Sequence, residues 1–330
     1  MTDYPEAPQI LESINKTNTV LLALHINPDS DSVGSNLALA LVLKNLGKTV
    51  EIYSADVPPQ NLDFLPAYSQ ITLKDPKEID IGKFKLAIFL DSSDKLRITR
   101  HEHLSLPGGI TTVVIDHHQT NTRFAQINLV DPKASSTGEI LFNLFSFWKT
   151  KITPEIATCL LTAMAGDTGT FRWATTESTL DVASRLIKLG AGLKEINFNL
   201  YQRTPLEQVR YQAEVVRKMK IKQAGNTKFV WAATSFEEIE ALGGSKFAVG
   251  GSDIGKTVEG TDFTLVLREE EKGIMTGSFR SRTDIDVAKI AELFGGGGHK
   301  AAAGLMIRFN EPFKNKVEEV INKVGEYLSK

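Results

Sequence analysis

One cysteine in 330 residues, Cys159, excludes an intramolecular disulfide and any cluster of thiolate metal ligands. Its neighbours, IATCLLTAM, read as an apolar helix face, so the thiol is read as packing. No apolar run approaches the ~20 residues that span a bilayer, and the N-terminal MTDYPEAPQI lacks the basic-then-apolar order of a secretory signal. A cytoplasmic protein with no membrane partner is expected. An excess of positive charge is missing too: 38 Lys and Arg stand against 40 Asp and Glu, a net charge of −2. Affinity for long nucleic acid comes mainly from many cations neutralising phosphates, so binding to long duplex DNA is not expected. A small phosphorylated substrate in a local basic pocket remains compatible with this charge. Internal repeats and low-complexity tracts are also absent.

What is present describes a globular chain, 42% hydrophobic and 24% charged, long enough for two domains. TVLLALH (19–25), LAIFLD (86–91) and TTVVIDHH (111–118) read as buried parallel strands, and patterns such as NLALALVLKNLG between them read as helices, the last capped at Gly47. Alternating strands and helices predict an α/β fold whose N-terminal domain, 1–192, is a doubly wound, mainly parallel sheet. From 193 to 330, a linking helix, LYQRTPLEQVRYQAEVVRKMKI, leads into a smaller mixed-sheet α/β domain. The active-site cleft is expected between the two domains. Ligands in such sheets bind beyond the carboxyl ends of the strands.

Those strand ends are where the titratable groups collect. The first strand runs into HINPDSDSVGS with His25, Asp29 and Asp31, the second ends at Asp91, and the third at Asp116, His117 and His118. Asp167 follows an apolar helix in MAGDTG. A turn or a helix cap accounts for any one of these aspartates, but not for the set. Three of only six histidines lie at these strand ends. Crowded carboxylates call for cations, and nitrogen and oxygen donors without sulfur favour Mn²⁺, Mg²⁺, Fe²⁺ or Zn²⁺, with enough acids for two ions sharing a bridging carboxylate. Two such ions polarise a phosphoryl group and lower the pKa of a bridging water, which points to hydrolysis of a phosphoester or phosphoanhydride. His101 and His103, in the polar RHEHLSL, read as a solvated face.

The C-terminal half carries FGGGGHKAAAG, in which Gly295 to Gly298 free the backbone to converge on an anion. Gly296, Gly297, Gly298 and His299 are candidate phosphate or nucleotide contacts. In SFRSR, Arg280 and Arg282 point to one side if the strand continues and would pair as a phosphate-binding face. In FRWATT, Arg172 could reach a substrate phosphate, and Phe171 or Trp173 could stack on a base. GGSDIGKT (250–257) matches a nucleoside-triphosphate loop pattern, but it lacks the preceding strand and following helix that such a loop needs and reads as coincidence. The role of the glycine-rich segment 243–260 stays open.

The motifs HINPDSDSVGS, Asp91, Asp116-His117-His118, AGDTGTFR and GGGGHKAAAG together resemble the DHH phosphoesterase superfamily with its DHH-associated C-terminal domain, across nearly the whole chain. The resemblance implies one metal ion on His25, Asp29 and Asp91 and another on Asp31, Asp91, His117 and Asp167. The metal is most often Mn²⁺, with Mg²⁺, Fe²⁺ or Co²⁺ as alternatives. It further implies that His118 contacts the scissile phosphate and that Asp116 orients the site. The absence of attached modules is similar to the branch that hydrolyses oligoribonucleotides of a few residues and 3′-phosphoadenosine 5′-phosphate. Other readings are a linear or cyclic dinucleotide phosphodiesterase, an exopolyphosphatase or other small-metabolite phosphatase, and a non-catalytic nucleotide-binding protein. A homodimer is compatible with the sequence.

Overall fold

The computed structural model describes residues 3–101, 104 and 106–329; His103 and the side chain of His299 lie outside the described residues. The chain divides into two compact units, 1–203 and 204–330.

The first unit is built from α1 (Ala7–Asn15), β1 (Thr19–Ala23), α2 (Ser30–Asn45), β2 (Thr49–Ser54), β3 (Ile71–Leu73), β4 (Leu86–Leu90), β5 (Thr111–Asp116), β6 (Ile127–Val130), α3 (Thr137–Phe147), α4 (Pro154–Asp167), α5 (Glu177–Lys188) and α6 (Leu193–Tyr201). Its six strands are all parallel, in the order β3-β2-β1-β4-β5-β6. Strands buried on both faces read as unbroken apolar runs, and β4, LAIFL, is buried at every position. The helices cover one face of the sheet. The other packs Phe84, Phe89, Ile98, Leu104 and Val114 beneath segments with short 3-10 turns at Pro76–Glu78, Ile81–Lys83 and Lys95–Arg97.

Strand order reverses between β1 and β4, the point at which α/β sheets leave a crevice beyond their carboxyl ends. The sequence supplies the acids and imidazoles at that edge. α2 is buried almost all round, between the sheet and α4. The approach of α4 depends on Gly166, where a Cβ would come within 2.3 Å of Ser30 Cβ. The last turn of α4 is thereby laid against the first turn of α2, and Asp167 is delivered to Asp31. Cys159 lies in this packing as expected, fully buried, and burial pushes its thiol pKa up.

The second unit comprises α7 (Leu206–Lys218), β7 (Lys220–Ala224), β8 (Thr227–Thr234), α8 (Phe236–Ala241), α9 (Gly251–Gly255), β9 (Phe263–Glu271), β10 (Ile274–Ser281), α10 (Val287–Glu292), β11 (Gly297–His299), β12 (Ala302–Arg308) and α11 (Phe313–Leu328). Its sheet is mixed, in the order β11-β12-β10-β9-β8-β7, with only β8 and β9 parallel. The division at 203/204 lies C-terminal to the expected boundary at 192/193. The expected linking helix is two helices, because Pro205 lacks the amide that would continue α6 and instead stands at the N-cap of α7. α6 packs on α4 and belongs to the first unit.

Candidate active site

Each metal-binding candidate of the first unit reaches the switch point from its own element. His25 follows β1; its Nδ1 lies 2.9 Å from the Ile26 carbonyl, a proton acceptor, and its Nε2 faces Asp91 Oδ2 at 3.3 Å and Asp29 Oδ1 at 3.7 Å. Asp29 is also the N-cap of α2, accepting from the amides of Asp31 and Ser32, so the capping reading of its sequence context holds alongside its place in the cluster. Asp91 directly follows β4 at φ 54°, a left-handed conformation that Asp tolerates better than most side chains. Its Oδ2 faces His25, while its Oδ1 lies 3.6 Å from His117 Nε2 and 3.4 Å from His118 Nδ1. His117 Nε2 also lies 3.1 Å from Asp167 Oδ2 and 3.8 Å from Asp31 Oδ2.

Three groups follow, each able to hold a divalent ion: His25, Asp29 and Asp91; Asp31, His117 and Asp167; and Asp91, His117 and His118. The donor set fits metal. Asp91 Oδ1 and His117 Nε2 are buried with no hydrogen-bond partner, and buried polar atoms without partners are costly unless an ion completes them. Electrostatics point the same way. Burial together with the charges of Asp91 and Asp167 pushes the Asp31 carboxyl well above its ordinary range. Burial raises Asp167 to about 6, with the nearby His117 imidazole opposing the rise and the charge of Asp91 adding to it. Burial opposes charge on His25, yet Asp29 and Asp91 outweigh it and hold the imidazole at about 10. His117 stands at about 10 for the same reason, with Asp167, Asp31 and Asp91 as its partners.

Asp116 takes a separate position. Fully buried, its Oδ1 accepts from the His117 amide and lies 2.8 Å from His118 Nδ1, while its Oδ2 accepts from Asn121 Nδ2 at 2.6 Å.

Residues 19–164 match the DHH family, N-terminal domain, and residues 248–330 match the DHHA1 domain. Over 312 residues the chain is 33% identical to the bifunctional oligoribonuclease and PAP phosphatase NrnA of Thermus thermophilus, covering 94% of this chain and 90% of that protein. The chain belongs to the DHH family. It is a metal-dependent phosphoesterase, a hydrolase acting on phosphoester bonds. The Bacillus subtilis protein of the same name is 26% identical, covering 91% of this chain and 92% of that one. An exopolyphosphatase-related protein from Bacteroides fragilis shares the fold, with a TM-score of 0.88 at 24% identity, over 98% of this chain and 96% of that chain. No helix among the described residues is long and apolar enough to cross a membrane.

Several residues that hold the DHH-family cluster in place escaped the sequence reading. Asp31 is gripped at the N-terminus of α3: Thr137 and Gly138 donate their amides to its two oxygens at 2.7 and 3.0 Å, and Ser35 Oγ adds a bond at 2.8 Å. The contact spans more than a hundred residues of sequence, so local spacing carries no sign of it. The signal for α3 itself is legible, since Ser136 caps the helix by accepting from Glu139 N. Asn121 stands within the DHHQTN stretch, but only the fold shows that it also donates to the Ser92 carbonyl and so ties Asp116 to the loop after β4. Gly169, Thr170 and Phe171 form a left-handed turn after Asp167. Beyond it Arg172 donates to the Gly169 carbonyl and lies between the rings of Trp173 and Tyr201, both substantially exposed, while Phe171 packs into the core.

In the second unit the strand carrying Arg280 stops at Ser281, so Arg282 lies just beyond the strand on which the pair was expected. Arg280 Nε donates to Asp253 at 3.0 Å, and Arg282 Nη1 reaches the carbonyls of Val258 and Thr261. The glycine-rich segment thus holds both arginines, and its GKT resemblance is incidental: α9 is five residues long and Gly255 packs against Thr264. Gly297 and His299 lie on edge strand β11 rather than in an open loop. Gly296 and Gly298 are needed by close backbone approach, with a Cβ meeting Gly304 O at 2.2 Å and Ala302 O at 2.6 Å, whereas Gly297 faces open space among the described residues. His101 is exposed, as a solvated face requires.

Imidazoles held at about 10, above their unfolded value near 6.5, contribute stability that is complete below pH 6.5 and is lost as pH rises through 10. The metal-free protein is expected to lose Tm steadily from pH 7 to pH 10. Thermal melts across that range, with and without a chelator, measure the effect. A Tm independent of pH in the metal-free protein contradicts the charged His25 and His117.

Proposed function

We propose that this chain is a Mn²⁺-dependent phosphodiesterase that releases nucleoside 5′-monophosphates from oligoribonucleotides of a few residues and removes the 3′-phosphate of 3′-phosphoadenosine 5′-phosphate. The observation that carries the chemistry is Asp91, whose two oxygens face two different imidazole sets while one of them, with His117 Nε2, is left unpartnered in a buried site. The substrate class is supported by the names of the Thermus and Bacillus relatives. In this reading His25, Asp29 and Asp91 hold one ion, and Asp31, Asp91, His117 and Asp167 hold the other. Bound divalent ions supply positive charge that polarises the phosphoryl oxygens and eases ionisation of an attacking water.

The chain's own groups do the rest. Asp91 neutralises and spaces the two positions, the α3 N-terminus keeps Asp31 turned inward, and Asp116 aims the His118 imidazole, which donates to the phosphate as charge develops. Arg172, Arg280, Arg282, Gly296, Gly297, Gly298 and His299 bind substrate away from the reacting atoms.

Incubating the Mn²⁺-loaded protein with labelled diribonucleotides, 3′-phosphoadenosine 5′-phosphate, linear pApA and inorganic polyphosphate tests the reading. Turnover of the first two supports it. A folded, metal-loaded protein that hydrolyses none of the nucleotides overturns it, and hydrolysis of polyphosphate alone favours a phosphatase of another class. Arg280→Ala is expected to raise KM for diribonucleotide about tenfold, the scale of one charged hydrogen bond, with kcat changed by less than about threefold. Steady-state kinetics separate the two constants, and a fall confined to kcat contradicts the binding role.

A further inference from the structure

The loop from β1 to α2 carries His25 at one end and Asp29 at the other, and between them Asn27 sits at φ 52°. Asn enters that region more readily than most side chains, yet still at a cost relative to glycine that contacts from its surroundings offset. The surroundings are specific. Asp56 Oδ2 accepts the Asn27 amide at 2.6 Å, and Arg100 Nη2 donates to Asn27 Oδ1 at 2.7 Å. The same guanidinium makes a two-point contact with Asp56, through Nε to Oδ1 at 3.0 Å and Nη2 to Oδ2 at 2.7 Å. Arg100 is fixed in turn, because Asp75 accepts its amide at 2.8 Å and the Thr99 hydroxyl at 2.5 Å, and Asp75 is buried. One step upstream, the Ile26 amide donates to the Arg97 carbonyl at 2.6 Å. Both backbone and side chain of Asn27 are therefore tied to groups from elsewhere in the fold.

We propose that Asp56 and Arg100 are positioning residues for the metal centre, a clamp that holds Asn27 left-handed so that His25 and Asp29 converge on Asp91. The proposal rests on the assignment of His25 and Asp29 as ligands. Neither clamp residue belongs to the groups able to hold a metal ion. Their effect is on the shape of the loop: with the clamp closed, the chain reverses tightly enough for Asp29 to cap α2 while remaining 3.7 Å from the His25 imidazole. Bidentate pairing supplies direction as well as attraction, which suits a residue whose task is geometric.

The experiment is titration of the metal-free protein with Mn²⁺ by calorimetry, alongside a metal-free melt and steady-state kinetics at saturating Mn²⁺. Groups that support metal ligands from outside typically change affinity by about 10- to 100-fold. Asp56→Ala and Arg100→Ala are expected to weaken Mn²⁺ binding about tenfold, with kcat at saturating Mn²⁺ within about threefold of the parent. Adding Asn27→Gly to Asp56→Ala restores part of the affinity, because glycine takes the left-handed conformation without the clamp. A role confined to bracing the fold would lower the metal-free Tm and leave the Mn²⁺ affinity of the folded variants unchanged, with nothing for Asn27→Gly to restore; that result overturns the proposal. If Asp56→Ala does not fold, Asp56→Asn and Arg100→Lys remove only the charge or the fork, and the same titration decides. His25→Ala separates the two levels. Unchanged Mn²⁺ affinity in that variant sinks the ligand assignment itself, whereas its loss together with unchanged affinity in the clamp variants sinks the clamp alone.

Discussion

Asp91→Asn is expected to lower kcat/KM by about a thousandfold or more, some 4 kcal/mol at ~1.36 kcal/mol per tenfold, and to abolish the rise in Tm on addition of Mn²⁺. The substitution is chosen to change chemistry without changing shape. Asn tolerates the left-handed φ of 54° as Asp does, so the turn after β4 survives, and its amide still donates to the Ile115 carbonyl. What is lost is an anionic oxygen toward one of the two imidazole sets, replaced by an NH₂ that cannot accept. Removing that charge also relieves one of the two main causes, after burial, of the raised Asp31 pKa. Asp91→Ala adds the cost of a Cβ without a local hydrogen bond in the left-handed region, about 1–2 kcal/mol, and is expected to melt lower than Asp91→Asn. Turnover above a tenth of the parent in Asp91→Asn would remove Asp91 from the centre of the reading. Differential scanning calorimetry with and without Mn²⁺, beside initial rates, gives both quantities.

The path from sequence to site was unequally visible. β4 and β5 are legible because strands covered on both faces leave little room for polar residues; a run such as VVID then marks where the sheet ends and chemistry begins. β2 was missed because TVEIYS enters from an exposed end, and β3 and β6 because they are only three and four residues long. The ligands were visible as types and spacings at strand ends. Their supports were not: Thr137 and Gly138 meet Asp31 across more than a hundred residues, and Asp56, Asp75 and Arg100 sit in segments with no pattern of their own. The glycine loop hid a second requirement. Four consecutive glycines read as freedom for a ligand, and only the fold shows that at Gly296 and Gly298 the backbone of β12 also occupies the space a side chain would need. The paired arginines assumed a continuing strand, and the strand ends between them.

His118→Ala is expected to reduce kcat by about 10²–10³, the usual consequence of removing a donor aimed at a developing oxyanion, while Mn²⁺ affinity and KM change by less than about threefold. The distinction from its neighbour is the substance of the prediction. His118 groups with Asp91 and His117 as three residues able to hold a metal, and adjacency alone gives no reason to exempt it. The exemption comes from Nδ1. That atom, 3.4 Å from Asp91 Oδ1, is already engaged with Asp116 Oδ1 at 2.8 Å, and Asp116 is itself held by Asn121 and the His117 amide. Burial opposes charge on His118, but Asp116 and Asp91 outweigh it and raise its pKa, which suits a group that meets a phosphate as a donor rather than a metal as a lone pair. His117 has the opposite setting: its Nε2 is buried, unpartnered and ringed by Asp31, Asp91 and Asp167. His117→Ala should therefore lose metal and turnover together, and His118→Ala should lose turnover alone. Asp116→Asn should fall between the parent and His118→Ala, by about 10- to 100-fold in kcat, because it loosens the aim of the imidazole without deleting it. Calorimetric Mn²⁺ titrations of the three variants beside their steady-state constants read out the contrast. If His118→Ala loses Mn²⁺ as His117→Ala does, His118 is a ligand and some other group of this site must face the phosphate.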